Sequence, residues 1–172
     1  GLKGTMNALF LKDLAIKTKR GQRGRVEAGK IPGGNSYGYN IIRQLKEDGT
    51  VTTGEREINT EQASIIRRIF KEYADGQPPR KIASRLNAEG IASPRGGQWN
   101  ASTINGSRQR RNGILNNELY LGRITYNRQR FIKDPETGKR RSRLNPEHEW
   151  VVTEVPALSI LDDGVWDRVQ AI

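Results

Sequence analysis

The chain has 172 residues, enough for one domain or one small domain with appendages; 34% are hydrophobic, 28% are charged, and mean hydropathy is −0.77. Thirty basic against nineteen acidic side chains leave a net charge of +11, a balance that attracts polyanions, of which nucleic acid and anionic membrane are the usual two. No apolar run approaches the ~18 residues that span a bilayer, no signal peptide is visible, and the absence of cysteine excludes disulfides, thiolate chemistry and cysteine-ligated zinc from this chain.

The charge is uneven along the sequence. Residues 1–30 carry a net +6, 31–107 a net +2, 108–143 a net +8 and 144–172 a net −5. Two basic blocks around a nearly neutral middle fit a polyanion partner better than an evenly solvated surface does.

Met6, Leu9, Phe10 and Leu14 recur at helical spacing and predict a helix from Thr5 to about Arg20. Gly21 and Gly24 weaken its continuation, and the basic end at Lys17, Lys19, Arg20, Arg23 and Arg25 has little to pack against. The first residue is not methionine and the chain starts inside this helix, so a fragment of a larger protein is expected. The stretch "GKIPGGNSYGYNI" is a glycine-proline loop with two tyrosines; no Gly-Lys-Ser/Thr follows at the spacing of a Walker A loop. A hairpin follows, with Glu47-Asp48-Gly49 at its turn.

The clearest helix comes next. Asn59 or Thr60 caps it, Ala63, Ile66, Ile69, Phe70 and Tyr73 form one stripe, and Gly76 stops it. After Pro78-Pro79 a shorter helix turns Ile82, Ala83 and Leu86 inward and ends at Gly90; Asn100 then caps a helix through Ile104. The pair reads as helix-turn-helix-like, with a connection longer than the usual one. "YLGRITYNRQRFIK" predicts one strand, "DPETGKRR" a turn, "EWVVTEVP" another strand, and "LDDGVWDRVQAI" a helix with Val165, Trp166 and Val169 on one side. Trp99, Tyr120, Tyr126 and Trp166 are expected in the core with Ile82, Leu115 and Leu119.

Catalytic chemistry finds no constellation. His148 is the single histidine and reads as a surface or turn residue; no Gly-x-Ser-x-Gly elbow occurs. Glu55 and Glu57 alternate on an expected strand, and Asp162 and Asp163 suit the start of the last helix. No catalytic residue, metal site or cofactor is predicted.

The blocks "SYGY", "INTEQASIIRRIFKEYADGQPPRKIASRLNAEGIASPRGGQWNASTI" and "GILNNELYLGRITYNRQR", with "WDRVQAI" at the end, resemble the recombinase domain of large serine recombinases, the phage integrases and transposases of the resolvase/invertase superfamily. The resemblance implies an α+β fold: a small helical DNA-binding domain with a helix-turn-helix-like core and short β-hairpins over 31–172. A long N-terminal helix over 1–30 resembles the last helix of the serine catalytic domain, with a linker. It also implies that the parent protein attacks DNA through a serine that this chain lacks, and that dimer and tetramer contacts run through that missing domain and the N-terminal helix. The stretch "NGSRQRRNG" before Ile114 departs from common members, and either extends a recognition helix or forms a basic loop beside it.

On this reading the partner is double-stranded DNA and no membrane is involved, in a cytoplasmic setting. Asn100 to Arg111 is the candidate reader, through Ser102, Thr103, Asn105, Arg108, Gln109, Arg110 and Arg111. Arg80, Lys81 and Arg85 would cross the backbone. Arg20, Arg23, Arg25, Lys30, Gly33 and Gly34 would follow the minor groove between domains. Arg128, Arg130, Arg140 and Arg141 would hold phosphates at the far edge. A DNA-binding regulator without a recombinase domain and a basic RNA-binding module are the alternatives.

Overall fold

The computed structural model describes residues 14, 16, 17, 20–31, 34–52 and 54–172; most of the helix expected over Thr5–Arg20, and Gly33, lie outside them. The chain divides into two compact units, one from residues 1–32 and 124–154, the other from 33–123 and 155–172.

In the larger unit, strand β1 (Tyr39–Ile42) pairs antiparallel with β2 (Glu55–Ile58), Tyr39 opposite Ile58. The connection turns where Asp-Gly stands: Lys46 N donates to Thr50 O at 2.7 Å and Gly49 takes φ +85. Helix α2 (Thr60–Ala74) starts at Asn59, whose side chain accepts from Gln62 N at 3.0 Å. Its buried stripe is Ala63, Ile66, Ile69 and Phe70, while Tyr73 is only half-buried. Helix α3 (Pro79–Ala88) opens on a proline whose fixed φ suits a first helical turn, and it buries Ile82, Ala83 and Leu86. Helix α4 (Ala101–Asn105) is one turn capped by Asn100, and α5 (Asp163–Gln170) is capped by Asp162.

The core of this unit is a relay of rings. Phe70 stands edge-on to Tyr120, with centroids 6.3 Å apart, and lies stacked on Trp166 at 5.9 Å. Tyr120 stacks on Tyr39 at 6.0 Å, and Tyr37 meets Trp99 edge-on at 5.4 Å. Each buried hydroxyl finds a carbonyl. Tyr39 Oη lies 2.8 Å from Leu119 O and 2.7 Å from Leu158 O, and Tyr120 donates to Tyr37 O at 2.7 Å. Burial pushes both phenols far above their ordinary range, so both remain donors. Between Tyr37 and Tyr39, Gly38 takes φ +107, and a Cβ there would lie 2.4 Å from Ile66 Cδ1. The Tyr-Gly-Tyr triplet thus presses the backbone onto α2, sends the Tyr39 ring into the core and leaves Tyr37 half-buried, although its local sequence pattern is only that of a loop.

In the smaller unit, residues 20–27 form helix α1, running through Gly21 and Gly24 to Gly29 at φ +81. The expectation of little packing here fails for one residue: Val26 is fully buried. Gln22 accepts from Tyr126 Oη at 2.8 Å. Strand β3 (Arg123–Tyr126) pairs with β6 (Val151–Glu154), and β4 (Gln129–Lys133) with β5 (Arg140–Leu144). The single strand expected over "YLGRITYNRQRFIK" is therefore two. Asn127, at φ +60, breaks it, and its halves join different sheets. Asparagine tolerates this left-handed conformation better than most residues. Helices joined to short antiparallel hairpins make the fold α+β.

Candidate nucleic-acid interface

Helices α3 and α4 are tied through Trp99. Asn87 accepts from Trp99 N at 2.7 Å and donates to Trp99 O at 2.9 Å, while the indole donates to Ile91 O at 3.1 Å. One asparagine therefore clamps the backbone entering α4, and residues 89–100 form the long connection. On α4 the Asn100 carboxamide oxygen accepts from Thr103 N, Thr103 Oγ1 and Ser102 Oγ, so these two hydroxyls are already held at the cap. Asn105 ends the helix, exposed.

The arginine-rich stretch is a pinched loop, not a helix extension. Gly106 ends α4 at φ +44, and a Cβ on it would lie 2.2 Å from Asn112 O. A Cβ on Gly113, at φ +84, would lie 2.6 Å from Gly106 N. The two glycines thus let the ends of the loop touch backbone to backbone. Inside it, Asn112 Oδ1 accepts from Ser107 N at 2.7 Å, and Ser107 Oγ accepts from Arg110 N at 3.3 Å. Below it, buried Asn116 donates to Asn105 O and Asn112 O, both at 2.8 Å.

This pinning sorts the arginines. Arg111, at φ +52, turns back to an ion pair with Glu118. Arg108, Gln109 and Arg110 are exposed, and among the described residues neither of the two arginines has a carboxylate partner. Beneath the loop a groove of about 330 Å³ is lined by Arg108, Arg111, Asn116, Glu118, Trp166 and Gln170. Replacing Asn116 with alanine removes both donors and strands two carbonyls under the loop. We expect a loss of about 1–3 kcal/mol in urea unfolding and faster amide exchange over 106–113.

The cations of α3 divide in the same way. Glu72 on α2 accepts from Arg85 at 2.8 Å and from Arg68 at 3.3 Å, so Arg85 ties α3 to α2. Arg68 also pairs with Glu89, and that hydrogen bond holds the Glu89 carboxyl below the usual carboxylate range. Arg80 and Lys81 are exposed on the first turn of α3, without a carboxylate partner among the described residues.

In the smaller unit, Arg20, Arg23 and Arg25 stand on α1, exposed, with Arg23 paired to Glu27 at 3.0 Å; Lys30 is half-buried, and Gly34, at the start of the larger unit, is exposed. Arg128 lies over the Trp150 ring at 5.3 Å, and Arg130 donates to Asn145 Oδ1 at 3.1 Å. Arg140 lies over Phe131 at 4.7 Å, and Arg141 pairs with Asp134 at 2.8 Å. His148 is exposed at the surface. Among the described residues no helix is long and apolar enough to cross a membrane, and no cluster of His, Cys, Asp and Glu could hold a metal ion.

No curated protein matches the sequence. Among solved structures, a chain from the crystal structure of an LSR–DNA complex, LSR standing for large serine recombinase, superposes with a TM-score of 0.51 at 19% identity. The match covers 90% of this chain and 36% of that one, and it shows a shared fold. The family described as Recombinase matches residues 60–172, from the first turn of α2 through α5. That stretch holds α2, the clamped α3–α4 pair, the pinched loop and the β3–β6 and β4–β5 strand pairs, and with it the chain belongs to the Recombinase family.

Proposed function

We propose that this chain is the double-stranded DNA-binding part of a site-specific serine recombinase. In this proposal residues 1–30 are the closing helix and linker of a serine catalytic domain, residues 31–172 grip the recombination site, and dimers and tetramers assemble through the catalytic domain. Such a protein works in the cytoplasm on the nucleoid. The observation that carries the reading is the loop over 106–113: a hydrogen-bonded base presents Arg108 and Arg110, which have no carboxylate partner among the described residues. A guanidinium so held suits phosphate or the O6/N7 edge of guanine. Arg80 and Lys81 on α3 add phosphate contacts, Ser102, Thr103, Asn105 and Gln109 offer polar contacts to base edges, and Arg20 to Gly34 follows the minor groove. The family membership and the fold shared with a chain from an LSR–DNA complex support the same reading.

The test is competition between duplex DNA and RNA of equal length, followed by footprinting on the attachment sites of the chain's own genetic element. Preference for the duplex with a protected site is expected; preference for RNA overturns the proposal. Within the loop, Arg108→Ala with Arg110→Ala should lower the log–log salt slope of binding by about two units and leave unfolding unchanged. Arg111→Ala should do the reverse, because its partner is Glu118.

A further inference from the structure

The ribbon of β4 and β5 presents an electrostatic arrangement that its own hydrogen bonds do not resolve. The register places Lys133 opposite Arg140 and Arg130 opposite Arg143. These two cross-strand pairs differ by an odd number of positions, so they stand on opposite faces of the ribbon. Like charges directly opposite destabilise a hairpin, and a lone two-stranded hairpin is marginal even without them. Neither face is covered: every residue of β4 is exposed, and in β5 only Ser142 is not. Phe131, 55% exposed, gives the ribbon no core; it serves as a platform for Arg140.

The root of the ribbon is firmly built. Asn145 is buried; it donates to Asn127 O at 3.0 Å, its side-chain oxygen accepts from Arg130, and its backbone oxygen accepts from the Trp150 indole at 2.9 Å. The Arg128 guanidinium sits over Trp150 at the same root. Arg141 is neutralised by Asp134. The cations left outward are Lys133, Lys139, Arg140 and Arg143, none with a carboxylate partner among the described residues.

A ribbon lying on a flat anionic surface needs cations on one face. Cations on both faces need anions on both sides. We propose that the β4–β5 ribbon is an arm that enters the major groove of duplex DNA, with Lys133 and Arg140 toward one phosphate strand and Arg143 toward the other. The major groove, about 12 Å wide, admits a two-stranded ribbon between its phosphate strands, whereas the minor groove, about 6 Å wide, takes one only where the duplex is deformed to receive it. Asp134 and Glu136 lie at the turn, where Asp134 is held by Arg141 and caps Glu136 N at 2.9 Å. This inference rests on the duplex-binding reading above and adds to it a second contact on a different element.

Two experiments on the whole chain test it. The first compares the chain with a variant carrying Lys133→Ala, Arg140→Ala and Arg143→Ala, titrating salt against a fluorescein-labelled duplex. The exposed positions predict an unchanged far-ultraviolet circular dichroism spectrum. The log–log salt slope should fall by about two to three units, near 0.9 for each phosphate left without its cation. The second uses the absence of native cysteine: Thr137→Cys at the turn carries a benzophenone. Photocrosslinks to the duplex should persist when distamycin fills the minor groove and vanish when glucosylated hydroxymethylcytosine fills the major groove. An unchanged slope in a chain that binds duplex, or crosslinks blocked by distamycin alone, overturns the arm and leaves the duplex-binding reading standing. Failure of the unsubstituted chain to bind duplex overturns both.

Discussion

Replacing Phe70 with alanine is expected to cost about 3–5 kcal/mol of stability, the usual loss for a buried phenylalanine. Phe70 is fully buried, and it joins two ring systems that come from distant parts of the chain, Tyr120 before the last strands and Trp166 on α5. Removing it leaves a cavity between α2 and α5 that neither ring fills without leaving its own partners. Tyr120 is fixed by its hydrogen bond to Tyr37 O and by the stack on Tyr39, so collapse into the hole disrupts both. A domain of ordinary stability, about 5–15 kcal/mol, loses a large share of it. The check is urea unfolding followed by tryptophan fluorescence, with Phe131→Ala as the comparison. Phe131 is exposed on the ribbon, and its removal should stay within about 1 kcal/mol, the worth of an exposed cation–π interaction. A cost below about 1 kcal/mol for Phe70→Ala would contradict the ring relay as the source of cohesion.

Much of this was legible in the sequence, and the reasons are local. The stripe of α2, the proline opening α3 and the caps Asn59 and Asn100 are written in spacings of three and four residues, and they need no tertiary information. The Asp-Gly turn and the last helix follow from equally short-range signals. The break at Asn127 was hidden because Arg123–Lys133 alternates almost continuously; only the pairing of its halves with different partners reveals two strands. Val26 was hidden because one apolar residue among five cations carries no period.

For the interface, composition marked the basic blocks but did not sort their members. Whether an arginine faces outward depends on which acid the fold brings near it. Arg85 finds Glu72, Arg111 finds Glu118 and Arg141 finds Asp134, and in none of these pairs do both residues lie on one helix or one strand. Conversely, Lys133, Lys139 and Arg143 carried no sequence signal beyond their charge; Lys133 and Arg143 are placed by the register of β4 against β5, and Lys139 by the turn between them. The glycines of the arginine-rich loop were present in the sequence as "GSRQRRNG", but their purpose is a backbone approach between residues seven apart. The buried carboxamides of Asn116 and Asn145 were equally silent, since asparagine reads as a loop residue until its partners are known.

The central claim is that the outward cations of this chain neutralise duplex phosphates. The most direct measurement is the affinity of the unsubstituted chain for duplex DNA as salt is raised from about 50 to 200 mM. Neutralising about six to ten phosphates predicts a fall of about 10³–10⁵-fold over that range, linear in the logarithm of salt. A change of less than about tenfold would mean that few phosphates are engaged, and would contradict the account.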